Sequence, residues 1–172
     1  MFQPYNIVVN KQALWDIYNR CTHIHKYDTV NTSVFNGANA FIDNTDDIKY
    51  IEKNIIKPFG IDLEIVKNQY TAFGNSVGFN FNILTSSGFV RTHCDTNKTK
   101  INILLNNSTQ SPICWPESGH QYYYEYPALI DVSIPHMVNN CHLIEQARVT
   151  LQIFLTKPFD YCKQLINDNK SF

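Results

Sequence analysis

"FVRTHCDTNKTKINILL", residues 89–105, reads as a β-strand, a polar turn and a second strand. Successive side chains of a strand point to opposite faces, so the pattern puts Arg91, His93 and Asp95 on one face and Thr92 and Cys94 on the other. Past the turn, Lys100, Asn102 and Leu104 alternate in the same way. An imidazole, a carboxylate and a guanidinium are thereby expected to gather at one end of a sheet.

The surrounding sequence has the same texture. From residue 69 onward, "YTAFGNSVGFNFNILTSSGFV", "QYYYEYPALIDV" and "RVTLQIFLT" are short runs rich in β-branched and aromatic residues, punctuated by Gly, Ser, Asn and Pro. Upstream, Leu14, Ile17 and Tyr18 recur at helical spacing within "KQALWDIYNR". A second helix is expected over residues 46–57, with Thr45 as N-cap, acids in its first turn and "KPFG" as the stop. The chain is therefore expected to be a single domain over residues 1–172, mainly β with N-terminal helices. Its helical part spans about 1–68, an antiparallel sandwich or jelly-roll barrel about 69–156, and a last helix about 159–167.

Composition excludes several classes. A formal charge of −1 leaves no basic surplus for a phosphate backbone, so nucleic acid is not an expected partner. No apolar run approaches the ~20 residues of a membrane span, and "MFQPYNIVVNK" interrupts any signal-like apolar core with Pro and Asn. A cytoplasmic location is expected, in the host cytoplasm if the source is viral. Five cysteines without a C-x-x-C pair argue for free thiols rather than a disulfide framework or a zinc knuckle. The bias toward Asn, Ile and Lys is one that an AT-rich genome produces. Against it Arg20, Arg91 and Arg148 stand out, because the planar guanidinium fork does what lysine cannot.

Two histidines and one carboxylate on one face leave three adjacent positions open on an octahedral metal, the arrangement that suits non-haem Fe(II). His93 and Asp95 supply two of the three. His136, in "PALIDVSIPHMVNN", is placed where a strand ends at Pro135, whereas His142 falls in a connecting turn, so position favours His136. Arg148 opens the next strand and shares its face with Thr150 and Gln152. A bidentate arginine with a neighbouring hydroxyl matches the far carboxylate of a dicarboxylate ligand. The plain alternatives are a turn-capping aspartate after a partly buried histidine and a surface strand arginine.

The ordered series His93, Asp95, His136, Arg148 and Thr150, together with "LIDVSIPHMVNN", resembles the Fe(II)- and 2-oxoglutarate-dependent dioxygenases. It is most similar to their aspartyl/asparaginyl and prolyl hydroxylase branches, and the resemblance covers about residues 70–156. It implies a double-stranded β-helix of cupin-like form with His93, Asp95 and His136 holding iron. Arg148 and Thr150 would bind the C5 carboxylate of 2-oxoglutarate, with dioxygen as oxidant and ascorbate as an expected stimulant. Hydroxylation of a peptidyl or free Pro, Asp or Asn, or of a small metabolite, with release of succinate and CO2, is the implied reaction. The long interval from His136 to Arg148 implies an enlarged turn at "CHLIEQ".

Around that set, Asn102 is a candidate for the 1-carboxylate end of the co-substrate and Arg91 for an anionic group of the substrate, a small molecule, a peptide or a protein. "YYYEY", residues 122–126, reads as core or, with Trp115, as a groove wall, while His23, His25 and His120 read as surface residues. Two rival readings remain: a cupin-like metal enzyme that does not use 2-oxoglutarate, and a non-enzymatic jelly-roll binding or structural protein. Oligomeric state is left open.

Overall fold

The computed structural model describes residues 1–27, 34–66, 69–71, 74–76, 78–96, 98–106, 111–138 and 147–169. The elements run β1 (Phe2–Pro4), α1 (Lys11–Arg20), β2 (His23–Lys26), β3 (Val34–Phe41), α2 (Thr45–Ile51), β4 (Gln69–Thr71), β5 (Gly74–Ser76) and β6 (Phe79–His93). After these come β7 (Thr99–Leu104), β8 (Ile113–Trp115), β9 (His120–Tyr122), β10 (Ala128–Asp131), β11 (His136–Val138), β12 (Arg148–Leu155) and α3 (Phe159–Asn169). Ten strands form one antiparallel sheet in the order β1-β10-β7-β12-β6-β11-β8-β9, with β3 also pairing with β6 and β2 with β3. It curls into a nearly closed barrel.

Alternation decides which residues go inside. Phe79, Phe81 and Ile83 of β6, Ile101 and Ile103 of β7, and Val149, Leu151 and Ile153 of β12 join one apolar core. The helices cover that core with Leu14 and Ile17 of α1, Ile51 of α2 and Ile166 of α3. Each fully buried Ile, Leu or Phe contributes roughly 1.5–3 kcal/mol relative to exposure. A second cluster packs Trp115, Tyr122, Ala128 and Ile130 beneath Phe2, whose ring stacks on Trp115 and Tyr122.

The N-terminal third differs from the helical layer expected of it. α1 and α2 do lie there, but β1, β2 and β3 join the main sheet, and β3 is hydrogen-bonded along β6 from Val34 to Phe41. "VFNGANAF" hides this role because Asn36 and Gly37 break its alternation at a register shift. The N-cap of α2 is Asn44, not Thr45: its side chain accepts from the Asp46 and Asp47 amides. The helix continues through a π turn and a 3-10 turn over Lys57–Phe59, then stops at Gly60, which takes φ 69°. A Cβ there would also collide with Asn169, whose amide donates to the Gly60 carbonyl. Arg20 joins the two helices, meeting both carboxylate oxygens of Asp47 at 2.6 and 3.2 Å.

Two irregularities of β6 shape the site. Leu84 and Phe89 pair with Gly37 and Phe35, so the residues between them bulge out of the ladder. Gly88 sits where a Cβ would lie 2.7 Å from the Asn36 carbonyl oxygen. Further on, Val90 pairs with Val138 and His93 with His136: three steps on β6 meet two on β11. That extra residue re-aims the end of the strand.

Candidate metal centre

His93 and His136 are register partners across β6 and β11, with ring centroids 4.4 Å apart. Asp95 follows β6, and its amide donates to the Val132 carbonyl, which folds the chain back toward both imidazoles. Its Oδ1 lies 3.2 Å from His93 Nε2 and its Oδ2 3.9 Å from His136 Nε2. The three ligating atoms all fall within 4.8 Å of one another. Neighbouring ligands ~2.1 Å from an octahedral ion are about 3 Å apart, so the cluster is close to metal-binding size.

The tautomers suit a metal as well. His93 Nδ1 lies 2.8 Å from the Arg91 carbonyl and His136 Nδ1 3.0 Å from the Ile134 carbonyl. A carbonyl only accepts, so each Nδ1 carries a proton and each Nε2 faces the cluster. Burial would raise the Asp95 carboxyl, but the His93 hydrogen bond and the Lys100 ammonium hold it well below the usual carboxylate range. For His93, burial pulls the imidazole down but the Asp95 hydrogen bond and the Arg91 carbonyl together lift it above its ordinary value. Burial dominates at His136 and depresses it. Buried Asp95 Oδ2 has an ion-pair contact with Lys100 but no well-formed hydrogen bond, so it retains acceptor capacity. This donor set fits a divalent ion with open positions, and iron fits it.

The cluster opens into a cavity of about 520 Å³, counting its mouth, whose wall includes His93, Asp95, His136, Lys100, Asn102 and Arg148. Arg148 is only 2% exposed. Its guanidinium lies over the Tyr124 ring, 4.8 Å from the centroid, and its Nε has no hydrogen bond. Among the described residues no carboxylate pairs with it, although an uncompensated buried guanidinium is costly. Among the described residues, Thr150 Oγ1 and Asn102 Oδ1 likewise have no hydrogen-bond partner, while Asn102 Nδ2 donates to Tyr124 Oη at 3.2 Å. Arg148 and Gln152 both line the cavity, as alternation along β12 requires; Thr150 lies between them in the strand but not on the cavity wall.

Several sequence-based placements need correction. Arg91 does not share the face of His93: it is exposed and its guanidinium stacks 4.3 Å from the Phe35 ring centroid. The bulge between Val90 and His93 shifts the alternation, so these two line the cavity instead. His136 opens β11 rather than hanging from the end of the preceding strand. His142 and the "CHLIEQ" turn lie outside the described residues. Tyr27 and Asn82 line the cavity without a place in the expected site, and Tyr124 lines it from within the "YYYEY" run expected as core or groove wall. A signal for Asn82 does exist in "FNFN", where polar residues alternate with core phenylalanines. Tyr124 carries a different mark, a left-handed backbone with φ 59°, which only the structure reveals. Trp115 is core, and its indole donates to the Asp131 carbonyl.

No family model matches the sequence, and no curated protein does so. The structure is similar to the crystal structure of a Pseudomonas putida prolyl-4-hydroxylase, with a TM-score of 0.55 and 11% sequence identity over 91% of this chain and 92% of that one. Among the described residues, no helix is long and apolar enough to cross a membrane. The chain thus has the fold of that prolyl-4-hydroxylase, a mainly β jelly-roll of the double-stranded β-helix type, with a His-Asp-His group on the wall of its cavity.

Proposed function

We propose that the protein is an Fe(II)- and 2-oxoglutarate-dependent dioxygenase. The observation that carries this reading is Arg148: a buried guanidinium that meets no carboxylate among the described residues, in the same cavity as His93, Asp95 and His136. A metal cluster alone would suit many reactions. A buried cation beside it selects an anionic ligand long enough to touch both, and 2-oxoglutarate meets that demand.

His93 and His136 would each present Nε2 and Asp95 a carboxylate oxygen to the iron. When bound, iron supplies activation of dioxygen coupled to decarboxylation of 2-oxoglutarate to succinate and CO2. Arg148 would fix the far carboxylate in a bidentate pair, with Tyr124 as the flat support for its guanidinium. Asn102, on the cavity wall, is the nearby polar group for a carboxylate end, while Thr150 lies behind the wall next to Arg148 in β12. Val90, Ile113, Val132 and Val138 set apolar stretches of wall between these polar groups, which lowers the local dielectric and strengthens the charge pairs. The substrate would be a small molecule or a Pro, Asp or Asn side chain, free or in a peptide. Arg91, outside the cavity, could meet it only at the rim.

The test is succinate formation from labelled 2-oxoglutarate with Fe(II), ascorbate and oxygen, with and without candidate substrates. Iron-dependent succinate that Arg148→Ala removes supports the reading. Metal binding without consumption of the 2-oxo acid would favour the cupin-like alternative.

A further inference from the structure

Lys100 is the charged residue of the cavity that this reading leaves without a task. It sits on β7, and its ammonium forms an ion pair with Asp95 Oδ2, the oxygen that also lies 3.9 Å from His136 Nε2. The same ammonium lies 4.9 Å from the centroid of the Phe154 ring, and the side chain is only 12% exposed. A divalent ion on His93, Asp95 and His136 would need this carboxylate. An ammonium and a divalent cation repel each other strongly at contact distance in a partly buried site. Only one of them can be the main counter-charge of Asp95. Lysine has the means to yield, since its charge rides on a flexible four-carbon stem with rotatable donors.

Resting on the dioxygenase reading, we propose that Lys100 is a resident counter-ion of Asp95 that the metal displaces, and that the freed ammonium then joins Arg148 as a second cation for the dianionic 2-oxo acid. Both cations line one cavity with the metal cluster. The ammonium that pairs with Asp95 repels a cation approaching that carboxylate and attracts the dianion that would follow it. Lys100 thus opposes metal binding and favours the ligand that follows it.

The experiment measures Mn(II) binding by calorimetry in wild type, Lys100→Met, Lys100→Gln and His93→Ala, without any 2-oxo acid, each protein checked for folding by circular dichroism. 2-Oxoglutarate is then titrated anaerobically into each Mn(II)-loaded protein. Removing the ammonium should tighten Mn(II) roughly tenfold, the size of effect one nearby opposite charge has on a carboxylate. It should also weaken 2-oxoglutarate several-fold. Lys100→Gln keeps a polar, similar-sized side chain and should show the same two changes if Lys100→Met folds poorly. Unchanged or weaker Mn(II) binding in the folded lysine variants, or unchanged 2-oxoglutarate binding, overturns the proposal. These results are distinct from failure of the dioxygenase reading itself, which would appear as wild type that binds no Mn(II) or as His93→Ala that binds it equally well.

Discussion

His93 and His136 stand opposite each other as register partners on neighbouring antiparallel strands, their ring centroids 4.4 Å apart. Strand pairing thus does what sequence distance cannot: it fixes two ligands on a rigid ladder. Asp95 is then brought in by one backbone hydrogen bond to Val132. Sites built on strands hold their geometry better than sites built on loops.

Asp95→Ala should remove most metal binding, because it deletes the one carboxylate that the described residues bring to the cluster. Cys94→Ala should leave it intact, since the Cys94 thiol is exposed and not among the ligating atoms. Mn(II) calorimetry on both variants reads this directly. Equal losses would mean that the turn, rather than the carboxylate, holds the ion.

Arg148→Ala should raise the 2-oxoglutarate requirement steeply while sparing metal, with a cost of about 2–5 kcal/mol as for other desolvated charge pairs. Arg148→Lys should recover part, because a point charge replaces a bidentate fork. The readout is the 2-oxoglutarate concentration that half-saturates succinate formation, measured beside metal content.

Arg91→Ala is expected to change neither metal nor 2-oxoglutarate affinity by more than about 0.5 kcal/mol, the range of ordinary surface substitutions. Its guanidinium lies over Phe35, away from the cavity. A loss seen only with a particular anionic substrate would assign Arg91 to the rim of the substrate path.

How far the sequence foretold these placements varies along the chain. β12 was legible because Arg148, Thr150 and Gln152 alternate without interruption against Val149, Leu151 and Ile153. The clustering of His93, Asp95 and His136 was legible because these residue types are few and their spacing fits the ends of paired strands. The face of Arg91 was not, since a bulge inserts a residue without disturbing composition, and only the pairing of Val90 with Val138 exposes it. β3 was missed for the same reason: its register shift falls at Asn36 and Gly37. Lys100 and Tyr124 gained their significance from neighbours distant in sequence, Asp95 and Phe154 for one, Arg148 and Asn102 for the other.

Stability should fall in alkali before any surface group explains it. Burial pushes the Cys21 thiol up to about 12, the Cys162 thiol to about 11 and the Tyr5 phenol to about 12. Their ordinary values are 9 for the thiols and 10 for the phenol. Above those values the unfolded chain releases protons that the folded chain keeps, so unfolding becomes easier as pH rises. The full contribution is present below pH about 9 and is lost progressively toward pH about 12. Urea unfolding at pH 8 and pH 10.5 checks it, and Cys162→Ala should flatten the difference.

The most direct measurement is the visible spectrum of the protein under anaerobic conditions with Fe(II) and saturating 2-oxoglutarate. A 2-oxo acid chelating iron on His93, Asp95 and His136, with its far carboxylate on Arg148, should give a weak charge-transfer band that vanishes in His136→Ala. Wild-type protein that binds iron stoichiometrically yet shows no such band would contradict the assignment of 2-oxoglutarate to this cavity.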